Sequence, residues 1–356
     1  MRNQKGLIII TGAVIGLFGA LLVKYGNPAN MGYCIACFIR DTAGAIGLHR
    51  TNTVQYIRPE IIGFVLGSFF VALPAREFKS RGGSAPTIRF LLGMLMMFGA
   101  MMFLGCPLRA VLRIAGGDLN GLIGLAGFVV GILIGIEFLK RGFNLGRATV
   151  SLSKIGGSIL PGIMLLLLIF LVMAPMFNPK AGGPIFFSTE GPGSKHVPIL
   201  LGLVAGLIGG ALAQRTRLCL SGGFRDFFLI RDTSLLMGYA LIFLVALGLN
   251  LYWGQFHLGF TNQPIAHSWH LWNFLGLLLV GLTAVLLGGC PLRQLILSGE
   301  GDLDAGTTVL GMIIGAGMAH NFMLASSPAG PTVYGQIAVV CGIIIAMIIG
   351  WQCREE

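Results

Sequence analysis

The sequence predicts an all-α polytopic membrane protein with about ten transmembrane crossings, and three observations carry that class. Hydrophobic residues make up 55% of the 356 positions and charged residues only 10%. Apolar runs of membrane-spanning length recur along the chain, and the same short motifs punctuate both halves. A mean hydropathy of +0.85 excludes an ordinary soluble domain.

A hydrocarbon core of about 30 Å takes about 20 mostly apolar residues per helical crossing, and ten runs approach that length. The first, "LIIITGAVIGLFGALLV" (7–23), follows a short basic stretch. A signal peptide is its alternative reading, but the "VKYGNPAN" that follows lacks an Ala-x-Ala type cleavage site. The second run is 60–75. The third, 89–105, contains "MLMMFGAMM" and ends at "GCPLR"; flexible thioethers filling a helix interface explain these methionines better than soft-metal handling. The fourth, 120–139, follows "GGDLN", and the fifth is 155–177. The sixth (197–213) and seventh (233–253) precede a loop with His257, His267 and His270, whose spacing fits no metal motif and reads as solvated. The eighth, 271–289, ends at a second "GCPLR"; the ninth, 306–323, follows "EGDLD"; the tenth, 332–351, is accompanied by Cys341 and Cys353, read as packing or lipid-facing.

Lys and Arg fix the expected orientation, because positive loops stay cytoplasmic. Sixteen of the 24 fall on one side of a ten-crossing chain: Arg2 and Lys5, Arg76 to Arg89, Lys140 to Lys154, Arg215 to Arg231, Arg293 and Arg354. Both termini are therefore expected in the cytoplasm of a cell inner (plasma) membrane protein. The net charge of +11 is then a topological signal rather than a nucleic-acid footprint, and the bilayer is the partner it implies.

The second "GCPLR" (289–293) lies 184 residues after the first (105–109), and "EGDLD" (300–304) follows it as "GGDLN" (116–120) follows the first. "CLSGGFRD" (219–226) likewise matches "CIACFIRD" (34–41), each reading Cys, five residues, Arg, Asp. The chain reads as a duplication: 1–178 is a first five-crossing repeat, 179–189 a linker, and 190–356 a second five-crossing repeat. Five is odd, so the second copy enters the membrane from the opposite side. Inverted-topology repeats with discontinuous helices around a path at their interface are a transporter architecture.

In "GCPLR" the proline cannot continue the preceding helix but suits the first turn of a new one. Cys106 and Cys290 are then expected at helix starts, where unpaired N–H groups and the helix dipole favour an anion. Arg109 and Arg293 follow within the first turn, facing a cavity or a partner such as Asp118 or Asp302. Arg40 and Arg225 belong to the other repeated motif. The chemistry suits a small anion with a soft atom that meets sulfur. The plain alternative is a helix end with a small buried cysteine and an arginine at headgroup level. Cys34 and Cys37 also form a Cys-x-x-Cys, which allows a dithiol–disulfide couple; yet Cys37 matches Gly222 in the other copy and stands outside the duplicated pattern. No metal site, cofactor motif or catalytic carboxylate pair is read.

These duplicated segments in a glycine-rich chain resemble the YeeE/YedE family of sulfur-transport membrane proteins over nearly the whole length. "NMGYCIACFIRDTAGAIGL" (30–48) is similar to the YedE-like members tied to selenium metabolism. The resemblance implies an hourglass-shaped inner-membrane permease, not an enzyme, of two inverted halves with short re-entrant helices. It also implies that Cys34, Cys106 and Cys290 hydrogen-bond the terminal sulfur of thiosulfate, with Cys219 as a symmetry mate. Cys37 would suit a selenium oxyanion such as selenite. A cytoplasmic sulfur-carrier protein is a further expected partner.

Overall fold

The computed structural model describes residues 2–173 and 184–354. Fourteen main helices are described: α1 (Arg2–Lys24), α2 (Ile35–Ala45), α3 (Pro59–Ala72), α4 (Pro86–Phe103), α5 (Pro107–Ala115), α6 (Asn120–Lys140), α7 (Ile155–Val172), α8 (Ile199–Thr216), α9 (Leu220–Ile230), α10 (Ser234–Tyr252), α11 (His270–Leu286), α12 (Pro291–Gly299), α13 (Leu303–Asn321) and α14 (Val333–Gln352). A single helical turn, Gly191–Ser194, and a two-residue pairing of β1 (Arg81–Gly82) with β2 (Thr149–Val150) complete the described elements.

The ten long helices fall on the ten apolar runs, although the end of the fifth run and residues 179–183 of the expected linker lie outside the described residues. Among the described residues, eight segments are long and apolar enough to cross a membrane. The two runs that miss this measure are α3 and α13. With 14 residues α3 spans about 21 Å, and Asp304 and His320 dilute the apolar character of α13.

The four remaining helices, α2, α5, α9 and α12, are short, with 11, 9, 11 and 9 residues. From α1 to α7 the order is long, short, long, long, short, long, long; from α8 to α14 it is the same. Packing partners exchange accordingly. Helix α3 lies against α8 as α10 lies against α1, and α6 lies against α11 as α13 lies against α4. Glycines permit these close approaches. A Cβ on Gly131 of α6 would run into the Leu278 carbonyl oxygen of α11, and one on Gly12 of α1 would run into that of Gly238 on α10.

Helices α4 and α11 pack on each other and are buried along most of their length, so the core is centred on them. Helices α7, α10 and α14 instead show apolar flanks, with Ile159, Leu244 and Ile345 among the exposed residues; such flanks suit a hydrocarbon surround. Methionines 96, 97, 101 and 102 are buried in the α4 core, where they fill the interface as expected.

Loops gather at two ends. At one, Lys79 N–H donates to Glu300 O (3.0 Å), Arg81 pairs with Val150, and Phe143 bridges to Arg354. This end carries the basic loops. At the other, Leu119 N–H donates to Gly259 O (3.0 Å) and Phe186 N–H to Ala45 O (2.9 Å).

Candidate functional site

The four short helices α2, α5, α9 and α12 each start at a cysteine. Before α5, Leu104 turns the chain left-handed (φ 60°), and Cys106 is extended ahead of Pro107. Before α12, Gly288 supplies the left-handed step (φ 77°), followed by Cys290 and Pro291. Cys34 and Cys219 cap α2 and α9 without a proline: their sulfurs accept the amides of Cys37 (3.3 Å) and Gly222 (3.4 Å), three residues on. A thiol thus serves here as the N-cap acceptor that Ser or Asp usually supplies.

The fold brings these cysteines together in pairs drawn from matched motifs. Cys34 and Cys106 lie close enough for their thiols to influence each other. The sulfurs of Cys219 and Cys290 are 3.6 Å apart, with Ser221 Oγ 3.1 Å from Cys219. Cys37 adds a third thiol to the first pair, its sulfur 2.7 Å from that of Cys34. All five are free thiols in the protein interior, none more than 4% exposed. Cys341 is exposed and Cys353 half-buried, both remote from this arrangement in the last helix and just beyond it.

The arginines divide between bracing and exposure. Arg109 is fully buried. Its guanidinium donates to Asn30 O (2.7 Å), Ile265 O (3.1 Å), Leu104 O and Cys37 Sγ (3.2 Å), tying three loops to the first thiol group. Arg40 is held by Asp41 (2.6 Å), which also holds Arg58 (2.7 Å). Arg225 pairs with Asp226 (2.8 Å) and Arg293 with Glu300 (3.1 Å), and both remain partly exposed.

The acids expected beside Arg109 and Arg293 have other partners. Asp118 pairs with Arg113 (2.6 Å), because the chain leaving α5 folds back until Asp118 N–H reaches Arg113 O (2.9 Å). In the second copy the matching position is Leu297, to whose carbonyl Asp302 N–H donates (3.1 Å). Lacking an arginine there, Asp302 takes Arg81 from the first half (2.8 Å) and caps α13 through Ala305 N–H (2.9 Å).

Two funnels open at opposite ends of α1 and α10. One, of about 390 Å³, is lined by Lys5 and Ile8 of α1, Ser234 and Leu235 of α10, Arg217, Arg225, Arg293, Asp226 and Asp232, and it reaches Cys219. The other, of about 430 Å³, is lined by Gly19 and Val23 of α1, Ala246 and Asn250 of α10, and the polar groups of Asn27, Asn30, Lys195 and Gln263. Residues 8 and 19 of α1 are about 16 Å apart along the helix. Cys34, Cys37, Cys106 and Cys290 line neither funnel; they lie in packed protein.

The histidine loop differs from its expectation. His257 and His270 are exposed, but His267 is buried: its Nε2–H donates to Met102 O (2.8 Å) and its Nδ1 accepts from Trp269 N–H (3.3 Å). Burial holds its pKa below the usual histidine range. His49 is held in the same way, by Arg40 O (3.1 Å) and Thr51 N–H (3.3 Å), with the same direction and cause. A proton on Nδ1 would remove each acceptor.

Sequence reasoning missed Arg58, Ser221 and Tyr239. Arg58 carried only a loop-charge signal and Ser221 sits inside the quoted "CLSGGFRD", whereas Tyr239 lies within an apolar run with nothing to mark it.

Fold and site together define an all-helical polytopic membrane protein built around buried thiols at the starts of short helices. Residues 215–349 match the family model described as sulphur transport, a similarity that covers part of the chain. The matched span contains Cys219, Cys290 and the second "GCPLR". The chain is also 35% identical, over 104 residues, to the thiosulfate transporter TsuA of Escherichia coli (strain K12); the match covers 29% of this chain and 29% of that protein.

Proposed function

We propose that the chain is a permease that carries a small sulfur-containing oxyanion, thiosulfate-like, across the inner membrane along a path between the two cysteine pairs. The observation that carries this is the arrangement of Cys34 with Cys106 and of Cys219 with Cys290, each thiol heading a short helix and Cys219 opening onto a basic funnel. Helix N-termini and the arginines of the funnel attract the negative charge. The thiols meet the soft sulfur atom through S–H contacts and undergo no covalent change, so the protein acts as a carrier rather than an enzyme.

In this reading residues 1–178 and 190–356 are inverted repeats, and the exchange of packing partners between α1–α7 and α8–α14 supports that relation. The basic end faces the cytoplasm, with both termini. Imported substrate leaves beside Cys219, where a cytoplasmic sulfur-carrier protein would receive it. The similarity to a protein named as a thiosulfate transporter favours thiosulfate over selenite as cargo.

Uptake of ³⁵S-thiosulfate by cells lacking their own transporter tests the reading. The wild-type chain is expected to support uptake, and Cys106→Ala or Cys290→Ala to abolish it; uptake unchanged in both variants contradicts the path. Unlabelled selenite added as competitor decides whether selenium oxyanions share it.

A second reading, thiol–disulfide exchange, has one observation in its favour, the 2.7 Å between the sulfurs of Cys34 and Cys37. Cys37→Ser separates the two. A redox protein loses all activity with it, while a permease that keeps Cys34, Cys106, Cys219 and Cys290 retains uptake.

A further inference from the structure

Tyr239 lies inside α10, 3% exposed, and its hydroxyl has no hydrogen-bond partner. One turn before it, Leu235 lines the basic funnel. Helix α10 packs against α5 and α9, the helices that begin at Cys106 and Cys219. The hydroxyl lies near the Leu220 amide, at the start of α9, and within electrostatic reach of Cys290, Cys219 and Cys106. It therefore sits near Cys106 and near both thiols of the second pair. Even with the Leu220 N–H directed at its oxygen, its own proton has no acceptor.

A buried hydroxyl without an acceptor is unfavourable, and phenylalanine would fill the same space without it. The missing partner is an acceptor: the Leu220 amide nearby donates, and the thiol sulfurs are only weak acceptors. A small oxyanion supplies acceptor oxygens on one side and, where it carries a terminal sulfur, a soft atom on the other.

We infer that Tyr239 is a substrate-binding residue at the waist of the path, donating its hydroxyl proton to an oxygen of the anion as it passes between Cys106 and the Cys219–Cys290 pair. This rests on the permease reading. It adds a division of labour in which the thiols read the sulfur end and the tyrosine reads the oxygen end.

Tyr239→Phe tests it, with Cys290→Ala measured alongside. A hydrogen bond from a neutral donor to a charged acceptor corresponds to about a tenfold or greater change in affinity. Tyr239→Phe is expected to raise the KM for ³⁵S-thiosulfate uptake about tenfold or more. The purified variant is expected to melt no lower than wild type without ligand, and to lose most of the rise in Tm that thiosulfate gives the wild-type chain. Unchanged KM and an unchanged thiosulfate-induced rise overturn the assignment. If Cys290→Ala abolishes uptake while Tyr239→Phe has no effect, only the role of Tyr239 falls; if the wild-type chain itself supports no uptake, the permease reading falls with it. Should the phenylalanine variant fail to accumulate, 3-fluorotyrosine at position 239 keeps the hydroxyl. Its ¹⁹F resonance is then expected to move on addition of thiosulfate, and an unmoved resonance overturns the assignment.

Discussion

Arg113 and Asp118 are wholly buried, so removing one leaves the other as an uncompensated charge. Asp118→Ala is expected to destabilise the fold by about 3–5 kcal/mol, read as a large loss of Tm and of folded protein on size exclusion. Arg81, paired with Asp302, is one-third exposed; Arg81→Ala is expected to change stability by about 1 kcal/mol or less. Equal losses in the two variants would contradict the burial argument. Histidines outside the membrane spans give a pH dependence. Burial is the main cause that lowers the pKa of His49, His196 and His267 in the folded chain. The unfolded chain therefore takes up their protons first as pH falls. Their contribution to stability is complete above the ordinary histidine pKa of about 6.5 and is lost as pH drops below it. The Tm is expected to fall between pH 7.5 and 5.5, and His267→Gln to flatten that slope; a Tm that rises with acidification contradicts this.

Helix packing puts backbone against backbone where glycines face a neighbouring helix. Gly131→Ala places a Cβ against the Leu278 carbonyl, which cannot swing aside as a side chain does, and a destabilisation of about 1–3 kcal/mol is expected. Gly162, on the outer part of α7, has nothing near its Cβ position, so Gly162→Ala is expected to leave Tm unchanged or slightly higher. The ten long helices were legible because each apolar run is long and bounded. The starts of α5 and α12 were legible because Pro107 and Pro291 announce them. The starts of α2 and α9 were not announced in this way, since a thiol capping an amide leaves no pattern to read. The acid partners were misread for a spatial reason: Asp118 closes on the arginine one turn beyond Arg109, and Asp302, facing Leu297 at that place, reaches into the other half. Tyr239 could not be found from sequence, because its distinction is a hydroxyl that lacks a partner in three dimensions.

Across the whole molecule, a basic funnel that reaches Cys219 and a polar funnel open at opposite ends of the same two helices, α1 and α10. The duplicated motifs explain why cysteines distant in sequence meet in matched pairs, and why the two series of helices exchange packing partners. The direct test is flux through the purified chain alone. Reconstituted in liposomes, the wild-type protein is expected to admit ³⁵S-thiosulfate above the rate of empty vesicles, while Cys106→Ala and Cys290→Ala chains, folded and inserted equally well, fall to that rate. Wild-type vesicles no faster than empty ones, or flux indifferent to both substitutions, would contradict the claim that the cysteine pairs form a path for a sulfur anion.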